Sequence, residues 1–128
     1  MLANILFIEG TKIYKELLSE MFNRDTKFWI KIVENIEEAK NILDKIDLDI
    51  VVLDLILPDG RGEEIVKIIR EEKKDDSIQI IVITSETSED RIINAFNLGI
   101  DFYFEKPFNP NILKALIERI YEKKKREA

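Results

Sequence analysis

The sequence predicts an α/β fold in which a doubly wound parallel sheet carries helices on both faces. Two observations favour it: strand-like and helix-like segments alternate along the chain, and two strand-like segments are apolar without interruption. The 128 residues, 45% of them hydrophobic, are those of one ordinary domain. Uninterrupted apolar strands are buried on both faces, as in parallel sheets covered by helices. Because crossovers between parallel strands are right-handed, each connecting helix packs back onto the sheet.

Five segments rich in β-branched and aromatic residues are predicted to form the strands. They are residues 4–8, 28–33, 50–55, 78–84 and, with a weaker pattern, 102–104. In the second segment Phe28, Ile30 and Ile32 alternate with the residues of the other face, as in a strand near a sheet edge. Residues 50–53 and 80–83 are apolar throughout, which indicates burial on both faces.

Apolar residues at helical spacing predict five helices, one after each strand. They are Ile13, Leu17 and Met21; Ile36, Ala39, Leu43 and Ile46; Ile65, Ile68 and Ile69; Ile92, Ala95 and Phe96; and Ile112, Leu116 and Ile120. We expect a single domain over residues 1–121. The basic segment that follows, residues 122–128, is either the end of the last helix, where Lys and Arg favour the helix dipole, or the start of a linker.

The composition excludes several classes of chemistry. The chain has no cysteine and no histidine, which excludes thiol catalysis, thiolate zinc sites, iron–sulfur clusters and His-based triads. Its 20 basic and 26 acidic residues give a formal net charge of −6, so we expect no direct nucleic-acid or membrane partner. The apolar stretch at residues 5–8 is too short for a signal peptide or a membrane span, and we expect a cytoplasmic protein.

Polar or small residues follow the predicted strands, at the edge of a parallel sheet where ligands bind. They are Glu9, Gly10 and Thr11 after the first strand, Asp54 in the third, Thr84 and Ser85 at the end of the fourth, and Lys106 after the fifth. Taken singly, Asp54 and Thr84 are interpreted as caps of the next loop or helix, and Lys106 as a surface amine. Taken together, an acid inside an apolar run needs a cation, and Lys106 is the natural partner of Asp54.

Three motifs in the chain are similar to those of a known family. Val51-Val52-Leu53-Asp54 is followed by Pro58 and Gly62, the apolar run 80–83 is followed by Thr84-Ser85, and Gly99 leads to Tyr103 and Lys106-Pro107-Phe108. With these motifs, nearly the whole chain resembles the receiver domains of two-component response regulators. The resemblance implies a flavodoxin-like strand order, 2-1-3-4-5.

The resemblance implies a role for each matching residue. Asp54 would be the phosphoacceptor, a carboxylate nucleophile that takes a phosphoryl group from a sensor histidine kinase or a phosphotransfer protein. Lys106 and Thr84 would bind phosphoryl oxygens, and Ser85 would leave the group room. Tyr103, coupled to Thr84, would be the switch residue that rotates with phosphorylation.

The resemblance also implies an output surface made of the fourth helix, the fifth strand and the fifth helix. This surface could pair with that of a second copy to form a homodimer. A cis peptide bond between Lys106 and Pro107 is implied as well, and it would aim the amine into the site. A domain of this kind phosphorylates and dephosphorylates itself and is not a classified enzyme.

One departure from the family lies after the first strand, where the family has two consecutive acids and this chain has Glu9-Gly10. In the family, the second acid is a direct magnesium ligand. The remaining candidate ligands are Glu9, Asp54 and the backbone carbonyl of Ile56, so we expect weak Mg²⁺ binding. One alternative stays open: a pseudo-receiver, an interaction domain of the same fold that phosphorylation does not control.

The chain lacks the residues that three other enzyme or cofactor-binding classes require. A haloacid dehalogenase-type phosphatase needs a second acid two residues after the nucleophile, where this chain has Ile56. A P-loop enzyme needs Gly-Lys-Ser/Thr before a helix, which the sequence does not contain. A dinucleotide fingerprint needs a third glycine after Gly60 and Gly62, where the chain has Ile65.

Overall fold

The computed structural model describes residues 1–128 and is built around a five-stranded parallel sheet. The strands, labelled in chain order, are β1 (Ala3–Ile8), β2 (Phe28–Val33), β3 (Ile50–Leu53), β4 (Gln79–Thr84) and β5 (Phe102–Glu105). They are hydrogen-bonded in the order β2-β1-β3-β4-β5. The predicted fold class and strand order are confirmed, and β2 is an edge strand as its alternating pattern indicated.

Five helices connect and follow these strands. They are α1 (Lys12–Met21), α2 (Ile36–Lys45), α3 (Glu63–Lys67), α4 (Glu89–Leu98) and α5 (Pro110–Glu127). α3 continues directly into a π-helical segment, Ile68–Glu72. The helices α2, α3 and α4 cover one face of the sheet, and α1 and α5 cover the other. No helix combines the length and apolar character that a membrane crossing requires.

Each face of the sheet has its own apolar layer, which explains the uninterrupted apolar strands. In β1, Leu6 and Ile8 pack in the layer with α2 and α3, whereas Ile5 and Phe7 pack in the layer with α1 and α5. All four side chains are fully buried. Burial of an aliphatic or aromatic side chain contributes roughly 1.5–3 kcal/mol, so the central strands hold their carboxyl ends in fixed positions.

The third strand is shorter than predicted. It ends at Leu53, two residues before the predicted end, and Asp54 and Leu55 then leave the sheet. The carbonyl of Leu55 accepts a hydrogen bond from the amide of Gly62 at 2.9 Å rather than from a neighbouring strand. The prediction was wrong here because Leu55 and Leu57 are buried in the core and therefore resemble strand residues in the sequence.

A short antiparallel hairpin, which the sequence did not predict, follows the third strand. Its two halves are Ile56–Leu57 and Gly60–Arg61. Gly60 has a φ of 152°, a conformation that glycine adopts without a Cβ penalty. Asp59, at the turn, accepts a hydrogen bond from the amide of Ile36 at the start of α2, at 2.9 Å. The hairpin is thereby fixed against α2.

The other predicted boundaries agree closely with the structure. β1 and β4 begin, and β5 ends, within one residue of the predicted positions. The interpretation of Thr84 as a helix cap was wrong. Ser88 caps α4 instead, because its hydroxyl accepts from the amide of Arg91.

Candidate functional site

Four strands end at the same edge of the sheet and place four polar side chains around one point. Glu9 follows β1, Asp54 follows β3, Thr84 ends β4 and Lys106 follows β5. Because the strands are parallel and in register, their carboxyl ends meet at this edge. The structure therefore brings together the acids, the hydroxyl and the amine that stand out in the sequence.

Lys106 is held between two carboxylates. Its Nζ atom lies 2.6 Å from Glu9 Oε1 and 2.8 Å from Asp54 Oδ2, and only 6% of its side chain is exposed. Burial disfavours the charge, but the hydrogen bond to Asp54 and the contact with Glu9 outweigh it, so the pKa of Lys106 lies above its usual value. Glu9 and Asp54 are buried too, so removal of the ammonium would leave unpaired charges, at a cost of about 3–5 kcal/mol.

Both carboxylate oxygens of Asp54 are oriented by donors. Oδ2 accepts from Lys106, and Oδ1 accepts from the hydroxyl of Thr84 at 2.6 Å and from the amide of Ile56 at 2.9 Å. Asp54 is 3% exposed. If Asp54 only capped the loop, its carboxylate would need no donor other than the amide of Ile56. The additional hydroxyl and ammonium allow the site to stabilise negative charge that develops on Asp54 or on a group attached to it.

Glu9 has one oxygen in hydrogen bonds and one without any. Oε2 accepts from the amide of Thr11 at 3.0 Å and from its hydroxyl at 2.9 Å. Oε1 is buried, and its close contact with Lys106 does not have hydrogen-bond geometry. A buried carboxylate oxygen without a hydrogen bond can bind a cation; here it faces the Lys106 ammonium, which a metal ion would have to displace.

These residues fit a divalent cation that has few protein ligands. Glu9, Asp54 and the carbonyl of Ile56 offer the hard oxygen atoms that Mg²⁺ prefers, and Mg²⁺ commonly combines one or two carboxylates with several waters. No third acid is present, since nowhere in the structure do three His, Cys, Asp or Glu side chains cluster as metal ligands. At the missing position, a Cβ on Gly10 would lie 3.1 Å from the ring of Pro58.

Tyr103 contacts the loop that follows β4. Its hydroxyl donates to the carbonyl of Glu86 at 2.6 Å, and the amide of Glu86 donates to Thr84 Oγ1 at 3.2 Å. Thr84 and Tyr103 are therefore connected through one residue. Burial, together with the charges of Glu105 and Glu86, raises the pKa of the Tyr103 phenol, so it remains a donor at neutral pH.

The remaining residues expected near the site also have defined positions. The peptide bond between Lys106 and Pro107 is cis, as the resemblance implied. Ser85 is exposed next to the buried Thr84. Gly10 is half-buried, and its backbone is not in the left-handed region.

Two residues near the site were not predicted from the sequence. Tyr14, in α1, has its ring centroid 4.2 Å from Lys106 Nζ and stacks on Phe108 with a centroid distance of 5.7 Å. Such a cation–π contact contributes about 0.5–2 kcal/mol. Arg91, in α4, donates to the carbonyl of Leu55, the residue after Asp54. Neither side chain has a motif that indicates its contact, because both contacts join segments distant in the sequence.

The sheet order and this cluster of acids, hydroxyl and amine define a receiver domain. The chain belongs to the response regulator receiver domain family, whose family model matches residues 5–118. It is 28% identical over 117 residues to a chemotaxis protein CheY homolog of Campylobacter jejuni, covering 91% of this chain and 90% of that protein. The resemblance seen in the sequence is thus confirmed.

Solved structures agree with this assignment. A two-component response regulator from Clostridium difficile has a TM-score of 0.83 and 31% identity, with 94% of this chain and 96% of that chain covered. The BeF3-activated receiver domain of DrrB has a TM-score of 0.83 and 30% identity, with 95% and 99% covered. DrrB is an OmpR/PhoB homolog of Thermotoga maritima.

Proposed function

We propose that this receiver domain is controlled by phosphorylation of Asp54. The observation that supports the proposal is the convergence of the Lys106 ammonium, the Thr84 hydroxyl and the Ile56 amide on one buried carboxylate. A phosphoryl group on Asp54 would bring negative oxygens to a place where these donors already point. Similarity to a receiver domain activated by BeF3 supports the same proposal.

The phosphoryl donor in this proposal is a phosphohistidine of a sensor histidine kinase or a phosphotransfer protein. One carboxylate oxygen of Asp54 attacks phosphorus while the phosphorus–nitrogen bond breaks, and the leaving imidazole nitrogen keeps the electron pair. The products are an acyl phosphate on Asp54 and a free histidine on the donor. Lys106 then holds one phosphoryl oxygen, and the Thr84 hydroxyl holds another. When bound by Glu9, Asp54 and the Ile56 carbonyl, Mg²⁺ supplies positive charge to the phosphoryl oxygens.

The proposed response spreads from Thr84 to the surface formed by α4, β5 and α5. A Thr84 hydroxyl that turns to a phosphoryl oxygen changes its contact with Glu86, and Glu86 also holds Tyr103. The same surface exposes Ile93 and Phe96 of α4, which are suited to a partner or a second copy. We place the receiver unit at residues 1–121, with the basic residues 122–128 as an extension of α5.

Gly10 favours a second candidate function, that of a pseudo-receiver. Without a carboxylate at this position, the site has two acids and one lysine, and a metal must compete with Lys106 for the same oxygens. In a pseudo-receiver the surface of α4, β5 and α5 would bind its partner regardless of phosphorylation.

Intact-mass analysis separates the two functions. The wild type and Asp54→Asn are treated with acetyl phosphate and Mg²⁺, and we expect one added phosphoryl mass in the wild type only. Addition in both proteins would show that another residue is modified. No addition in either, even at high Mg²⁺ concentration, would support the pseudo-receiver.

A further inference from the structure

Arg91 joins the first turns of α3 and α4. Its Nε and Nη2 atoms donate to the two carboxylate oxygens of Glu63 at 2.6 and 2.9 Å, a two-point contact that a planar guanidinium favours. Glu63 is only 4% exposed, so its charge depends on cationic partners; Arg91 is the closer one, and Arg61 Nη2 lies 3.3 Å from Oε2. The hydrogen bonds to Glu63 hold the pKa of Arg91 above its usual value. The guanidinium is therefore charged and fixed in its orientation.

The other donors of Arg91 reach two loops of the phosphoacceptor site. Nη1 donates to Glu86 Oε2 at 2.8 Å, in the loop after β4. Nη2 also donates to the carbonyl of Leu55 at 2.7 Å, next to Asp54 in the chain. A single side chain thus connects α3, the loop of Asp54 and the loop after β4.

Through Glu86, this network reaches the switch residues. The carbonyl of Glu86 accepts from the Tyr103 hydroxyl, and its amide donates to the Thr84 hydroxyl. Its second carboxylate oxygen accepts from the amide of Ser88 at 2.8 Å. With both side-chain oxygens held, the backbone of Glu86 is fixed in the position that Tyr103 contacts.

We infer that Arg91 is a positioning residue for the switch. By linking Glu63 to Glu86, it keeps the Tyr103 hydroxyl on the Glu86 carbonyl before any phosphoryl group is present. A ligand or modification shifts an equilibrium only by its preference for one of the two arrangements. Since Arg91 already favours this arrangement in the unmodified chain, phosphorylation moves Tyr103 less than it would without Arg91. The effect of phosphorylation on Tyr103 rests on the proposed function. The hydrogen bond from Tyr103 to Glu86 does not, because it is present in the unmodified chain.

A purely structural role would limit Arg91 to holding α3 against α4, and two variants separate the roles. The double variant Glu63→Leu, Arg91→Leu replaces the buried ion pair with apolar side chains. Such replacements are often neutral or stabilising, so the helices stay packed while Glu86 is released. The single variant Glu86→Ala retains the Glu63–Arg91 pair. It removes the connection of that pair to the switch, together with the hydrogen bond from the Ser88 amide.

The position of Tyr103 can be measured by ¹⁹F NMR after labelling with 3-fluorotyrosine. The chain has three tyrosines, and Tyr103→Phe identifies the signal of residue 103. In unmodified wild type we expect a signal displaced from that of free fluorotyrosine, because the Tyr103 ring is half-buried and its hydroxyl is bonded to the Glu86 carbonyl. In both variants we expect it to move toward free fluorotyrosine, with a larger H₂O/D₂O solvent shift. As a matched control, Lys40→Gln, Glu64→Gln removes an ion pair between α2 and α3 and should leave the signal unchanged.

The inference is wrong if the Tyr103 signal keeps its wild-type position in Glu86→Ala or in a folded double variant. Should the double variant fail to fold, an unmoved Tyr103 signal in Glu86→Ala is enough to overturn the inference, because that variant leaves the buried pair intact. Beryllofluoride should then move the Tyr103 signal less in the wild type than in the variants. A wild type that takes up no phosphoryl group would instead contradict the proposed function, and the comparison of unmodified proteins would still stand.

Discussion

Gly62 packs directly against the backbone of Asp54. A Cβ on Gly62 would lie 2.2 Å from the carbonyl oxygen of Asp54, a distance that no side chain can adopt. The contact closes the loop between Asp54 and α3, and the amide of Gly62 donates a hydrogen bond to the carbonyl of Leu55 in the same loop. The position of Asp54 therefore depends on the absence of a side chain eight residues later in the chain.

From this contact we expect Gly62→Ala to destabilise the protein by at least about 2 kcal/mol, because the backbone of the Asp54 loop must shift. Urea denaturation measures the change. Gly10→Ala is the matched control. Its Cβ meets the exposed ring of Pro58 at 3.1 Å, which can move, and the carbonyl oxygen of Glu34 at an ordinary contact distance of 3.4 Å. Equal losses in the two variants would show that the close approach to Asp54 is not the cause.

Gly10→Asp should raise Mg²⁺ affinity by at least about tenfold and lower the stability of the metal-free protein. The added carboxylate would supply a further oxygen ligand, but without metal it would repel Glu9 and Asp54. Isothermal titration and thermal denaturation measure the two effects.

Gly10→Asn is the control for the change at Gly10, because asparagine has the shape of aspartate without its charge. Both variants make the same contact with Pro58 and lose the same unfolded-state entropy, so their difference isolates the charge. Equal Mg²⁺ affinity in the two variants would mean that the missing carboxylate does not limit metal binding.

Ile56→Asn should shorten the lifetime of the acyl phosphate on Asp54. Ile56 lies two residues after Asp54 and is 50% exposed, yet its side chain offers no hydrogen bond to an attacking water. The side chain of Glu86 is held on both oxygens by Arg91 and Ser88, so it is not free to replace that function. Decay of the added phosphoryl mass with time gives the half-life.

Ile56→Val separates hydrogen bonding from access of water. It shortens the side chain but remains apolar, so we expect a half-life close to that of the wild type. If valine and asparagine shorten the half-life equally, water access and not orientation controls hydrolysis at this position.

Loss of stability at acid pH should depend on Glu63. Burial raises the pKa of this carboxyl, but the hydrogen bonds from Arg91 outweigh that effect, and the pKa lies below its usual 4.5. A lowered folded-state pKa stabilises the protein above the unfolded value, and this stability is lost as the pH falls through the folded value. The wild type should therefore exceed Glu63→Gln in free energy of unfolding by a constant amount near neutral pH. This excess should decrease below about pH 4.5.

Glu64→Gln is the control for the pH experiment, because Glu64 is the exposed neighbour of Glu63 and pairs with Lys40 at the surface. An exposed pair contributes about 0–1 kcal/mol, so its removal should change the acid profile little. If the free energy of unfolding of Glu63→Gln differs from that of the wild type by the same amount at every pH, Glu63 contributes through packing alone.

The sheet was predictable because burial on both faces constrains the residues of the central strands directly. The end of β3 could not be predicted, because an apolar pattern indicates burial and does not indicate which groups are hydrogen-bonded. Leu55 and Leu57 are buried in the core, as strand residues would be, but the chain at Leu55 has already turned toward Gly62.

The centre of the site was predictable from the strand ends, because parallel strands bring residues such as Asp54 and Lys106 to one edge. The surrounding network was not. Arg91 and Glu63 are 28 residues apart and belong to different helices, so their contact depends on how α3 and α4 pack. In the sequence, both look like ordinary charges in the first turn of a solvated helix.

The place of β2 at the edge of the sheet bears on solubility. An edge strand has unpaired amides and carbonyls along one side, which can bind a strand of another molecule. In the segment FWIKIV the only charge is that of Lys31, and its side chain is exposed. Without that charge the strand would combine aromatic and β-branched residues with no proline, as aggregation-prone segments do. Lys31 is therefore the one charge within the strand itself that opposes intermolecular strand pairing.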